Sequence, residues 1–182
     1  LTNKSKAYFT LFSNKLKLFA MNIQTIGSLI KHERVACGLS QKALAEAAHL
    51  SRVTLVNLEN GKVGDIGAVK LSELADIVGK PLFSTGKPMN FVQMLLGSIN
   101  TSYKNTMTQA ELEAVMLKGE VPMGYEGQLF HLIEEASITL VTGAVKQLAM
   151  QQQANPKHIW KNLAKLAMSI QSPKSFWQAI NG

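Results

Sequence analysis

The chain has 182 residues, 46% hydrophobic and 17% charged, a balance that makes a globular protein and excludes a disordered one. No run of about 18 apolar residues is present to cross a bilayer as a helix. A single cysteine, Cys37, and histidines scattered at 32, 49, 131 and 158 exclude a disulfide framework and a thiolate metal cluster, so neither a metal nor another cofactor is expected and a reducing cytoplasm fits.

The formal charge of +7 is unevenly spread. Residues 1–20 carry four lysines and no acid, residues 21–84 seven basic and six acidic groups, and residues 85–182 eight and six. Most of the excess sits in the first twenty residues, so charge alone is a weak pointer to a polyanionic partner. That basic leader precedes a plausible start at Met21, and Asn14, Lys15 and Lys17 interrupt any apolar core of a secretory signal. A misplaced start with a frayed extension and an arm that touches phosphates are the two readings of it.

From Ile23 the apolar residues Ile23, Ile26, Ile30 and Val35 recur with helical spacing, and Gly38 is a natural stop. Ser40 is an N-cap for a helix from Gln41 to Ala48, whose Leu44, Ala45 and Ala48 share a face. After a short turn Ser51 caps a third helix through Leu55 and Leu58 to Glu59, closed by Asn60 and Gly61. A fourth covers Ala68 to Val78, with Val69, Leu71, Leu74, Ala75 and Val78 apolar and Gly79-Lys80-Pro81 as its stop. Ser84 to Pro88 is the linker. Beyond it a connecting helix is expected between Phe91 and Tyr103. Thr108 and Glu111 have capping-box spacing, and a long helix is expected from Tyr125 to Gln151. Asn155-Pro156 and Ser172-Pro173 each place a cap before an N1 proline. Nothing alternates as a strand would, and the fold class is all-α.

The stretch Leu39 to Gly61 is the most informative. Two short helices joined by so short a turn must cross steeply; Ala45 and Ala48 are small where the helices approach, and Leu44, Leu50, Leu55 and Leu58 fill the space between them. On the third helix Leu55 and Leu58 share one side, while Arg52, Val53, Val56 and Asn57 gather on the other. That outer face is free to read something, or, through Val53 and Val56, to bind a protein.

The residues LSQKALAEAAHLSRVTLVNLENGK resemble the helix-turn-helix of the lambda-repressor and Cro family, and IGSLIKHERVACG is similar to that family's first helix. The resemblance runs from Ile23 to Pro81 and rests on Gly27, Arg34, the Leu-Ser-Gln start, Leu44-Ala45, Leu50-Ser51 and Leu58-Glu59-Asn60-Gly61. It implies a five-helix domain that binds double-stranded DNA, and so a transcriptional regulator, a repressor; the small footprint of one such module adds the expectation of a homodimer on a palindromic operator, and no enzyme is expected. Arg52, Val53 and Asn57 fall at base-contacting positions, where guanidinium suits guanine, methyls thymine and an amide adenine. Gln41 matches the phosphate-clamping glutamine, Ser51 and Thr54 offer hydroxyls, and Asn60 with Lys62 lies where the second stretch of backbone is held. Arg34 and Glu59 match the internal ion pair. His49 stands where the family prefers glycine, and must take a left-handed conformation.

The domains read as the leader 1–20, a DNA-binding domain 21–84, a linker and connecting helix 85–105, and an all-α oligomerisation or partner-binding domain 106–182. The last has no nucleophile elbow, phosphate loop or metal motif. Glu134 and Glu135, adjacent on a helix, do not converge for acid-base work, and His131 and His158 read as partly buried helix residues. The segment GEVPMGYEGQLFHLIEEA weakly resembles regulators encoded beside toxin genes, which opens a second reading: an antitoxin whose C-terminal helices bind a toxin protein.

Overall fold

The computed structural model describes residues 23–63, 66–82 and 89–180; the leader, the linker Ser84 to Pro88 and the side chain of Ile23 lie outside the described residues. These hold ten α-helices and no strand: α1 (Ile23–Ala36), α2 (Gln41–Ala47), α3 (Arg52–Glu59), α4 (Ala68–Ile77), α5 (Phe91–Asn100), α6 (Gln109–Lys118), α7 (Glu126–Phe130), α8 (Ile138–Gln151), α9 (Pro156–Ser169) and α10 (Ser175–Ile180). None is long and apolar enough to cross a membrane.

The helix starts follow the caps. The hydroxyls of Ser40, Ser51 and Thr108 and the amide oxygens of Asn90 and Asn155 accept backbone N–H groups of the first turns they precede. Thr108 and Glu111 form the complete capping box. The first three helices share one ending. After α1, α2 and α3, a residue with positive φ (Gly38 at 73°, His49 at 52°, Gly61 at 66°) and its successor donate back to two carbonyls of the last turn, as in Leu50 N to Ala45 O at 2.8 Å and Lys62 N to Asn57 O at 2.8 Å. His49 thus takes a conformation that normally favours glycine, and Asn60, expected to share the left-handed role with Gly61, does not.

Several expectations are corrected. Val35 and Val69, assigned to inward stripes, are 60% and 84% exposed; the inward positions of α1 pass through Ile30, Arg34 and Cys37 instead. The helix expected from Tyr125 to Gln151 is broken. After α7 the chain makes one turn of π-helix, His131–Glu135, and Ala136 and Ser137 are extended before α8 begins. Leu129, Leu132 and Ile133 are buried before the break, and α8 then buries Val141, Thr142, Gly143, Ala144, Val145, Leu148 and Ala149, a face wide enough to pack against both α4 and α5. Ser172-Pro173 does not open a helix either; Ser172 Oγ accepts from Lys174 N at 3.4 Å, and α10 starts at Ser175.

The apolar side chains of the two halves form one cluster rather than two. Helix α8 lies against α4 and α5, α9 against α6, and the short α10 covers α2. Trp160 is at the joint, edge-on to Phe176 with centroids 5.7 Å apart and tilted against Trp177 at 6.3 Å, and its Nε1 donates to Cys37 O at 2.8 Å. Polar ties cross the same joint: Lys146 Nζ to Glu33 Oε2 at 2.6 Å, Ser175 Oγ to Glu46 Oε2 at 2.7 Å and Ser40 Oγ to Ala179 O at 3.4 Å.

Candidate nucleic-acid interface

Helix α3 is held from beneath and bare above. Leu55 and Leu58 have no exposed surface and Glu59 is 4% exposed, while Arg52 and Val53 stand in solvent with Val56 and Asn57 half-buried beside them. At about 100° per residue Leu55 and Leu58 fall across the helix from Val53, Val56 and Asn57, while Glu59, two turns beyond Arg52 and nearly in line with it, is covered at the helix's far end. The helix packs on α1 and α2, and its approach to α1 is very close: a Cβ on Gly27 would lie 2.0 Å from the carbonyl oxygen of Leu58.

The end of α3 is fixed by a buried charge cluster. Arg34 of α1 donates from Nε to Glu59 Oε1 at 2.6 Å and from Nη2 to Oε2 at 3.0 Å, and its Nη1 donates to Leu39 O at 2.8 Å. The fork of the guanidinium matches the carboxylate, and its third nitrogen ties down the turn before α2. Gln41 joins the cluster, donating from Nε2 to Glu59 Oε2 at 2.9 Å. One of its two amide protons is thereby used and the other remains to be given outward. Arg34, Gln41 and Glu59 are therefore one network; that Gln41 bonds to Glu59 had no signal in the sequence, because the two are eighteen residues apart and on different helices.

At the other end of α3, Ser51 Oγ accepts from Thr54 N at 3.0 Å and shares a hydrogen bond with Thr54 Oγ1 at 2.8 Å. Whichever hydroxyl donates, the pair retains a second proton to offer. Asn60 and Lys62 are exposed just past the helix.

Residues 30–83 match a family model described as helix-turn-helix. Over this segment the chain is similar to the lambda-repressor/Cro-like helix-turn-helix. The matched family is one of DNA-binding regulators. No curated protein and no solved structure matches the chain. In the helix-turn-helix, α2 and α3 are the two crossing helices, His49 sits in the turn between them, and α1 carries the arginine that locks the second to the first. The C-terminal helices meet this module on α2, at the α1–α2 turn, on α4 and at Glu33 of α1, away from the outer face of α3.

Two ionisable groups at the joint are shifted. Burial pushes the Glu33 carboxyl up, but the hydrogen bond and charge of Lys146, helped by Lys80 and His32, outweigh it and leave its pKa below the ordinary value of 4.5. Burial pushes the Cys37 thiol up to about 11, so Cys37 is a small packed residue with no nucleophilic character at neutral pH.

Proposed function

We propose that the chain is a sequence-specific transcriptional regulator, acting in the cytoplasm as a repressor that lays α3 in the major groove. Arg52, Val53 and Asn57 contact bases; Gln41, Ser51, Thr54, Asn60 and Lys62 hold the backbone; Arg34 and Glu59 keep the reading helix in place. The observation that carries this is the asymmetry of α3, which rests on buried Leu55 and Leu58 and is clamped at its last residue by a buried ion pair while Arg52 and Val53 are left in solvent. With one charged donor on that face, readout leans on thymine methyls and on DNA shape as well as on hydrogen bonds.

A single module has a small footprint, which favours a homodimer with recognition helices about 34 Å apart on a palindrome. Residues 21–84 form the DNA-binding unit in this reading, 85–105 the connection, and 106–182 the part that serves assembly or a partner. Selection of bound duplexes from random DNA tests it. Arg52→Ala should lose discrimination at one base step, by about 1–3 kcal/mol, whereas Gln41→Ala should weaken all sequences alike. Both variants binding the selected site like the wild type would sink the assignment. A reporter placed behind that site would fall in expression for a repressor and rise for an activator.

A second reading, an antitoxin, is favoured by the exposed Val121, Met123 and Phe130 in the segment that resembles toxin-linked regulators. Co-purification with the product of a neighbouring gene, lost in Met123→Glu/Phe130→Glu, would support it.

A further inference from the structure

The C-terminal half is divided by charge in a way that its net value hides. Residues 85–135 hold three lysines and six carboxylates, and residues 136–182 five lysines and no carboxylate side chain. Three of the five, Lys157, Lys161 and Lys165, recur every four residues on α9, which puts them on one stripe, and all three are exposed. Lys157 stands in the first turn, where the helix macrodipole disfavours a cation, and that turn has no acidic residue to balance it.

Helix α9 is seated on the helix-turn-helix at the turn between α1 and α2. Trp160 Nε1 holds Cys37 O, and the approach is so close that a Cβ on Gly38 would lie 3.0 Å from Lys157 N. Lys157 and Lys161 consequently share a shallow cavity of about 290 Å³ with Arg34, Leu39 and Ser40. Ser40 is the residue immediately before Gln41. The positive charge of Arg34 is met by Glu59, and among the described residues neither lysine has an ion-pair partner. The edge of the module that carries the phosphate-holding glutamine is therefore continued by two unneutralised ammonium groups from the other half of the chain.

We propose that Lys157 and Lys161 extend the DNA interface, gripping backbone phosphates next to those held at Gln41. Their long stems and point charges suit phosphate oxygens without reading bases, so the C-terminal half adds affinity to a recognition helix that has few polar donors of its own. The inference rests on the reading of Gln41 as a phosphate contact.

The test is a salt series on the full chain, with a duplex carrying the selected site and a scrambled one. Each phosphate contact contributes about 0.9 to the slope of log affinity against log salt. Lys157→Gln/Lys161→Gln should flatten the slope by about 1.8, so that from about 50 to 200 mM salt the wild type loses about twelve-fold more affinity than the variant. The weakening should be equal on both duplexes, the thermal melt unchanged, and Lys157→Arg/Lys161→Arg should restore the slope. The charge-matched Lys104→Gln/Lys118→Gln should leave it alone. An unaltered slope in the first variant, or equal flattening in the charge-matched one, overturns the proposal while the helix-turn-helix reading stands. A wild type that binds no duplex overturns both.

Discussion

Two Gly→Ala substitutions in helices should have opposite signs. Alanine is the better helix former by about 1 kcal/mol, and at Gly97 in α5, where an added Cβ meets nothing within 4 Å, that gain of about 0.5–1 kcal/mol should appear whole. Gly27 in α1 is different. Its Cβ would lie 2.0 Å from Leu58 O and 2.9 Å from Leu58 C, against the 3.4 Å at which ordinary contact begins, so α1 and α3 must part by more than an ångström. The obstacle cannot rotate away, because Leu58 O is held in the cap of α3 by Gly61 N at 3.0 Å. Parting the helices also stretches the Arg34–Glu59 contacts, now 2.6 and 3.0 Å. Overpacking costs about 1–3 kcal/mol, and backbone-to-backbone overlap belongs at the upper end, so Gly27→Ala should be net destabilising by about 2 kcal/mol. Urea unfolding of the two variants beside the wild type measures both signs, and titration of DNA should show weaker binding by Gly27→Ala alone, since α3 is displaced. Stabilisation at Gly27 equal to that at Gly97 would refute the reasoning.

Other outcomes are equally specific. Glu59→Ala removes the acceptor of three hydrogen bonds and strands Arg34, 8% exposed, and should cost about 3–5 kcal/mol; a change in urea midpoint worth under about 1 kcal/mol would mean the cluster is not held as described. Replacing both partners, Arg34→Met/Glu59→Leu, should recover most of that loss. Because the Glu33 pKa is lowered in the folded chain, its stabilisation is present above the ordinary 4.5 and lost as pH falls through the folded value. The stability difference between wild type and Glu33→Gln should accordingly shrink toward zero as pH falls from above the ordinary 4.5 through the lowered folded value, and a difference that grows there would contradict the Lys146 contact. Native Cys37 should resist alkylation at neutral pH, its thiol being buried with a pKa of about 11, and label only in denaturant; fast labelling of the native chain would count against that burial. Trp160→Ala should cost about 3–5 kcal/mol and lower the melting of the whole chain in one transition, whereas two separated transitions would show halves that fold independently.

The helix-turn-helix was legible because its signals are local. Cap serines, small residues at the crossing and a glycine after the last turn all act within a few residues of one another, and the structure has Ser40, Ser51 and Gly61 in those roles. Val35 misled because the inward place beside it is taken by a charged residue: Arg34 turns into the core to meet Glu59, and a count of apolar positions passes over it. The break at Ala136 was hidden for another reason. Apolar residues flank it on both sides with helical spacing, so periodicity runs straight through it, and the direction each segment takes depends on what it packs against. The lysines of α9 were legible as a four-residue repeat but were averaged out when the C-terminal half was summed as a unit.

The seating of the two halves offers a point of control over the proposed DNA contact. Helix α2 has seven residues, too few to hold its shape alone, and its sides are taken by α3 and by α10. Helix α3 is braced through α2 and α1, and the face proposed to meet DNA is the one left uncovered. A partner or ligand that drew α10 or Trp160 away from the joint would not need to reach α3. It would uncover Cys37 and the buried side of α2 and loosen Ser40 from Ala179, and so unsettle the position of Gln41 and, through Glu59, of the reading helix. Coupling of this kind runs through contacts that differ between two packed states, and it gives the C-terminal half a route to DNA affinity that is separate from the charge its lysines bring.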